Sequence, residues 1–160
     1  MKTKRILVAG IGNGFRSDDR AGLLVCDHIY DAIVNTPLDA LIDIKKLSGE
    51  GVELMQEWEG YDLIFLADAS RSFGSTGRIT RIDATNTPLQ QDYFNYSSHN
   101  FSLAEAVELS RQLGSLPKRL IIYAIEGKNF SHGIDLTDEV EFSCSNTARK
   151  ILEEIVFVQN

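Results

Sequence analysis

The stretch that most constrains this chain is residues 6–25, where an apolar run, a glycine turn and a helical pattern follow without a break. It begins at Ile6 as an unbroken apolar run, rich in β-branched side chains, yet too short for a helix of its own. Such a run predicts a strand buried on both faces, as in a parallel sheet. Gly10, Gly12 and Gly14 then open a turn, and Ser17 is a candidate N-cap. Beyond it Ala21, Leu24, Val25, Ile29 and Ala32 recur at helical spacing. Asp18 and Asp19 therefore stand where the helix begins, just past the carboxyl end of the strand. In open α/β sheets that edge is where ligands bind.

A glycine turn entering a helix often cradles phosphate through backbone N–H groups and the helix dipole. Here the glycines are spaced G-x-G-x-G rather than G-x-G-x-x-G, and the residues that follow are acidic. Two carboxylates would repel a pyrophosphate at close range. The alternative is that both acids only complement the positive end of the helix, worth about 0.3–1 kcal/mol each.

The remaining chain repeats the alternation. Residues 41–44 predict a short second strand, 47–51 a turn and 52–58 a short amphipathic helix closing near Gly60. Residues 63–67 are again apolar throughout, with Asp68 expected at the strand's end, facing the sheet's carboxyl edge or closing an Asx turn. Residues 78–82 alternate charged and apolar, which predicts an edge strand with one wet face. A polar stretch, 83–100, carries Pro88, Tyr93, Phe94 and Tyr96 without periodicity and predicts a long loop that delivers His99. Ser102 and Glu105 form a capping box for a helix running to Gly114. Residues 119–125 predict the last strand, followed by Glu126, and Thr137 is the N-cap candidate of a final helix. The expected fold is α/β: a single three-layer α/β/α domain over residues 1–160, with a mostly parallel twisted sheet of about five strands and helices on both faces.

Composition narrows the partners. A net charge of -7 argues against nucleic acid and anionic membrane, which both need a basic footprint. No apolar run reaches the ~18 residues of a membrane span, and the run after the basic start breaks at Gly10, too soon for a signal-peptide core. Cys26 and Cys144 lie within helical patterns without a C-x-x-C partner, so they read as buried free thiols suited to the cytoplasm.

Asp18 or Asp19 and Asp68 follow different parallel strands and so share one rim, which the loop carrying His99 is long enough to reach. Two carboxylates and an imidazole make a mixed oxygen and nitrogen set for a borderline divalent ion such as nickel, zinc or cobalt. Three protein ligands would leave that ion an open coordination position.

Several motifs resemble those of the hydrogenase maturation endopeptidases, which remove a C-terminal extension from the large subunit of nickel-iron hydrogenases. The opening motif Gly10-Ile11-Gly12-Asn13 with Asp18, Asp19 and Gly22 is similar to theirs. So are the strand ending in Asp68-Ala69, the Ser98-His99 pair with Leu103-Ala104, and Glu126 with Gly133-Ile134-Asp135-Leu136-Thr137. The resemblance implies metal contact by Asp19, Asp68 and His99, with nickel supplied by the substrate and another divalent metal able to take its place. It implies a large-subunit precursor as the partner, and Asp18 and Glu126 are the candidates for assisting proton transfer. Arg20 departs from the glycine of many members, and the turn 48–51 lacks a threonine often found there. The rival is a non-catalytic flavodoxin-like module binding a nucleotide or a partner at the same rim. A dinucleotide-dependent enzyme fits less well, because Asp43 only comes near the usual place of the ribose-binding acid.

Overall fold

The apolar runs pair into one sheet in the computed structural model, which describes residues 5–94 and 101–160. Strands β1 (Ile6–Ile11), β2 (Ile42–Leu47), β3 (Leu63–Ser70), β4 (Ile79–Asp83) and β5 (Leu120–Glu126) stand in the order β2-β1-β3-β5-β4. All neighbours are parallel except β4, which runs antiparallel to β5 along one edge. Every residue of β1, β3 and β5 is buried, as unbroken apolar runs require when both faces are covered.

Helices α1 (Ala21–Ile33) and α4 (Asp138–Gln159) cover one face; α2 (Gly51–Glu57) and α3 (Leu103–Gln112) cover the other. Ile6, Val8, Phe65, Ile121 and Tyr123 point to the first face, while Leu7, Ala9, Ile64, Leu66 and Ile122 point to the second. By that alternation Asp68, two residues beyond Leu66, belongs to the α2–α3 face.

Two glycines set how closely α1 approaches the sheet. A Cβ on Gly10 would lie 2.0 Å from the Gly22 carbonyl oxygen, and one on Gly22 would lie 2.2 Å from that of Ala67. The helix start thus rests directly on the backbones of β1 and β3, which holds the turn before it beside the carboxyl end of β3.

Element order and the edge position of β4 agree with expectation, and several boundaries are corrected. The second strand continues to Leu47, and β3 continues to Ser70 because Asp68, Ala69 and Ser70 pair with Ala124, Ile125 and Glu126 of β5. Asp68 is therefore inside a strand and not in an Asx turn. Ser17 does not cap α1: residues Ser17–Arg20 form a 3-10 turn, Ser17 sits at φ 47°, and its hydroxyl donates to the Ser131 carbonyl at 3.1 Å. Glu50, in the expected plain turn, caps α2 by accepting from the N–H groups of Val52 and Glu53 at 3.0 and 2.9 Å. The polar stretch after β4 includes a short 3-10 turn, Gln91–Phe94. Both cysteines are buried free thiols. Among the described residues no helix is long and apolar enough to cross a membrane.

Candidate active site

A doubly wound sheet has its crevice where successive connections leave toward opposite edges. From β1 the chain moves outward to β2, then returns across β1 to β3, so the switch falls between the carboxyl ends of β1 and β3. Asp19 follows the first of these strands and Asp68 lies near the end of the second. Together with Ile11, Gly12, Ser48, Gly49, Ala69, Phe94, Ser102 and Leu103 they line a cavity of about 20 Å³. That is room for a single water or ion and no more.

Asp19 is held by the turn that carries it. Its N–H donates to the Arg16 carbonyl at 3.0 Å, and its Oδ2 accepts from the Asn13 N–H at 2.9 Å. Gly12 has to be glycine, since a Cβ there would sit 2.0 Å from the Asp19 carbonyl oxygen. Asp68 is buried, with 7% of its surface exposed. Burial, and then the negative charge of Asp19, push its carboxyl well above the usual carboxylate range, against a smaller opposing hydrogen bond from the Ala69 N–H. Asp68 thus carries its acid where water is scarce and within reach of the charge of Asp19, an arrangement that costs stability and that a cation would relieve.

His99 lies outside the described residues. Phe94 precedes residues 95–100, Ser102 and Leu103 follow them, and all three line the cavity. Glu105 accepts from the Ser102 N–H at 3.2 Å, the capping interaction that fixes the start of α3 beside the site. Among the described residues no three His, Cys, Asp or Glu side chains gather as a metal site. The described donor set is the pair Asp19 and Asp68.

Neither Asp18 nor Glu126 is among the residues lining the cavity, and each holds backbone N–H groups of a neighbouring loop. Asp18 is fully buried. Its Oδ2 accepts from the N–H groups of Lys128 and Asn129 at 2.8 Å each and from the Thr137 hydroxyl at 2.7 Å; its Oδ1 accepts from the Thr137 N–H at 2.7 Å. Thr137 does precede α4, but its hydroxyl serves Asp18 and not the helix. Glu126 Oε1 accepts from the N–H groups of Phe73 and Ser75 at 2.6 and 2.7 Å and so ties down the connection between β3 and β4.

Sequence reasoning missed the residues that lock the turn 12–17 to the loop 127–137. Arg16 and Gly133 form an isolated parallel bridge, the Ser17 N–H donates to the Gly133 carbonyl at 2.9 Å, and Gly133 N–H donates to the Phe15 carbonyl at 2.9 Å. Arg20, one of the departures noted in the opening motif, donates through Nη1 to the Ile134 carbonyl. These contacts join segments more than a hundred positions apart, and no local pattern announces them.

An acidic, ion-sized cavity at the switch point of a doubly wound sheet is poorly made for a phosphate. A family model described as hydrogenase maturation protease matches residues 48–154, about two-thirds of the chain, and the protein belongs to that family. It is accordingly a peptidase. The hydrogenase 2 maturation protease of Escherichia coli K12 is 24% identical over 151 residues, spanning 92% of this chain and 88% of that one. The hydrogenase maturating endopeptidase HybD of Escherichia coli superposes with a TM-score of 0.70 at 22% identity, covering 96% of this chain and 93% of that one. The maturation protease HycI of Thermococcus kodakarensis does so with a TM-score of 0.62 at 21% identity, covering 95% and 92%. Those two likenesses bear on the fold, which they share.

Proposed function

We propose that this protein removes the C-terminal extension from the nickel-loaded precursor of a nickel-iron hydrogenase large subunit, and that Asp19 and Asp68 contact the nickel carried by that substrate. The supporting observation is the convergence of these two carboxylates, from different strands, on one cavity that admits only an ion. His99 is the third ligand in this proposal, on the strength of the family resemblance of its motif.

The site then acts as a checkpoint. In the free protein the charged form of Asp68 is disfavoured by burial and by the charge of Asp19. A precursor bearing a divalent ion supplies the opposite charge that stabilises both carboxylates, and a precursor without metal does not. Cleavage adds water across the peptide bond, the hydroxyl going to the acyl carbon and a proton to the departing amine. The carboxylates hold the metal-bearing end of the substrate so that the bond beyond it is presented in one place. The two buried free thiols suit action in the cytoplasm.

Incubation of the purified protein with nickel-loaded and nickel-free precursor tests this directly. Only the loaded precursor should be shortened on a gel and by mass. Equal shortening of both, or of neither, would defeat the proposal. The rival nucleotide-binding module gains nothing from the structure, because carboxylates occupy the place where phosphate would sit.

A further inference from the structure

Three loops follow the carboxyl ends of β1, β3 and β5, the sheet edge that carries the acidic cavity, and each carries a large apolar side chain open to solvent. Phe15, after β1, is 74% exposed; Phe73, after β3, and Ile134, after β5, are each 63% exposed. Single exposed apolar residues are ordinary on protein surfaces. These three share one edge of the sheet, and their loops are held there by hydrogen bonds to the backbone. The loops of Phe15 and Ile134 are tied together through their backbones, since the Phe15 carbonyl accepts from Gly133 and Arg20 donates to the carbonyl of Ile134. Phe73 is fixed through its own N–H by Glu126 at 2.6 Å. Its ring stacks on Tyr93 with centroids 5.7 Å apart, Tyr93 meets Phe94 edge-on at 5.0 Å, and Phe94 forms part of the cavity wall. An aromatic path therefore leads from the surface to the two carboxylates.

Two buried acids, Asp18 and Glu126, are committed to holding these loops by backbone N–H groups. Rigid apolar side chains lose little conformational freedom on binding, which suits them to anchor a partner. The cavity at that edge takes an ion and nothing larger. Whatever delivers that ion has to seat on the rim.

We infer that Phe15, Phe73 and Ile134 form the docking rim for the substrate protein, receiving an apolar segment of the precursor next to its metal. The inference rests on the proposed function for the identity of the partner. Asp18 and Glu126 are positioning residues that keep the rim in place.

The test uses the full chain and nickel-loaded precursor, with steady-state cleavage and equilibrium binding both measured. Phe15→Ser and Phe73→Ser should each raise KM and the dissociation constant by roughly ten- to thirty-fold, as loss of an interface anchor does. Ile134→Ser should act in the same direction. Phe157→Ser, which removes an 83% exposed side chain from the far end of α4, should leave both constants as they are. Thermal midpoints of all the variants should match that of the unaltered protein, because exposed side chains contribute little to folding. Unchanged KM and dissociation constants in the rim variants, with the unaltered protein cleaving normally, would overturn the docking rim and leave the proposed function standing. So would light scattering that shows the rim joining two copies of this chain, separated by the same substitutions. If the unaltered protein neither binds nor cleaves loaded precursor, the proposed function falls and the rim with it.

Discussion

Asp68→Asn should abolish processing of nickel-loaded precursor and at the same time make the free protein more stable at neutral pH. The two effects share one cause. Loss of groups that merely support a metal's ligands already costs about 10–100-fold in affinity or activity, so loss of a direct ligand should cost at least about a hundredfold. Stability moves the other way because Asp68 is buried next to Asp19, and both facts raise its carboxyl above the ordinary range. The folded state then binds a proton more tightly than the unfolded chain. Stability is greatest below the unfolded carboxylate value and is lost as pH rises through the higher folded value. Asparagine carries no titrating charge and should be spared that loss. Melting curves across pH are expected to show the variant above the unaltered protein near neutrality, with the gap closing as the solution is acidified. A variant that melts lower at neutral pH, or that still processes precursor at the normal rate, would contradict this assignment.

Asp18→Ala should be the most damaging single change to the fold near the site. It removes the fully buried acceptor of four hydrogen bonds, three from the backbone N–H groups of Lys128, Asn129 and Thr137 and one from the Thr137 hydroxyl. Loss of a buried carboxylate that accepts four hydrogen bonds costs about 3–5 kcal/mol in total. For a chain of this size that corresponds to a drop of roughly 10 °C in the thermal midpoint. Asp18→Asn would be no remedy, since both oxygens of Asp18 accept and an amide turns one acceptor into a donor. The loop 127–137 should also open, so trypsin is expected to cut after Lys128 in the alanine variant sooner than in the unaltered protein. Normal melting and unchanged cutting would show that Asp18 does not hold this loop.

The adjacent pair Asp18 and Asp19 shows where sequence is informative and where it stops. Their position past an all-apolar strand marks them as residues of the carboxyl edge, and the structure places both there. Which of them faces the crevice depends on a 3-10 turn entered at Ser17 with positive φ, and a Ser-Asp-Asp string reads more simply as a helix cap. The partners that occupy Asp18 lie 110 to 119 positions away, so its structural role had no local signature. Strand cores were legible for the opposite reason: uninterrupted apolar runs have few alternatives to a covered parallel sheet. The end of β3 was not, because a carboxylate inside a buried strand contradicts the pattern that finds strands. Such a residue is tolerated where function uses it. Glu126 escaped in another way, since its place at the end of the last strand was clear but its two backbone partners sit in a loop of no fixed pattern.

The most direct measurement of the central claim is nickel-edge X-ray absorption on loaded precursor, frozen alone and in complex with this protein. If Asp19 and Asp68 grip the metal, complex formation should add oxygen ligands to the nickel shell, and the Asp19→Asn, Asp68→Asn double variant should remove them. A nickel shell that is the same in the free precursor, in the complex and in the mixture with the variant would contradict the claim.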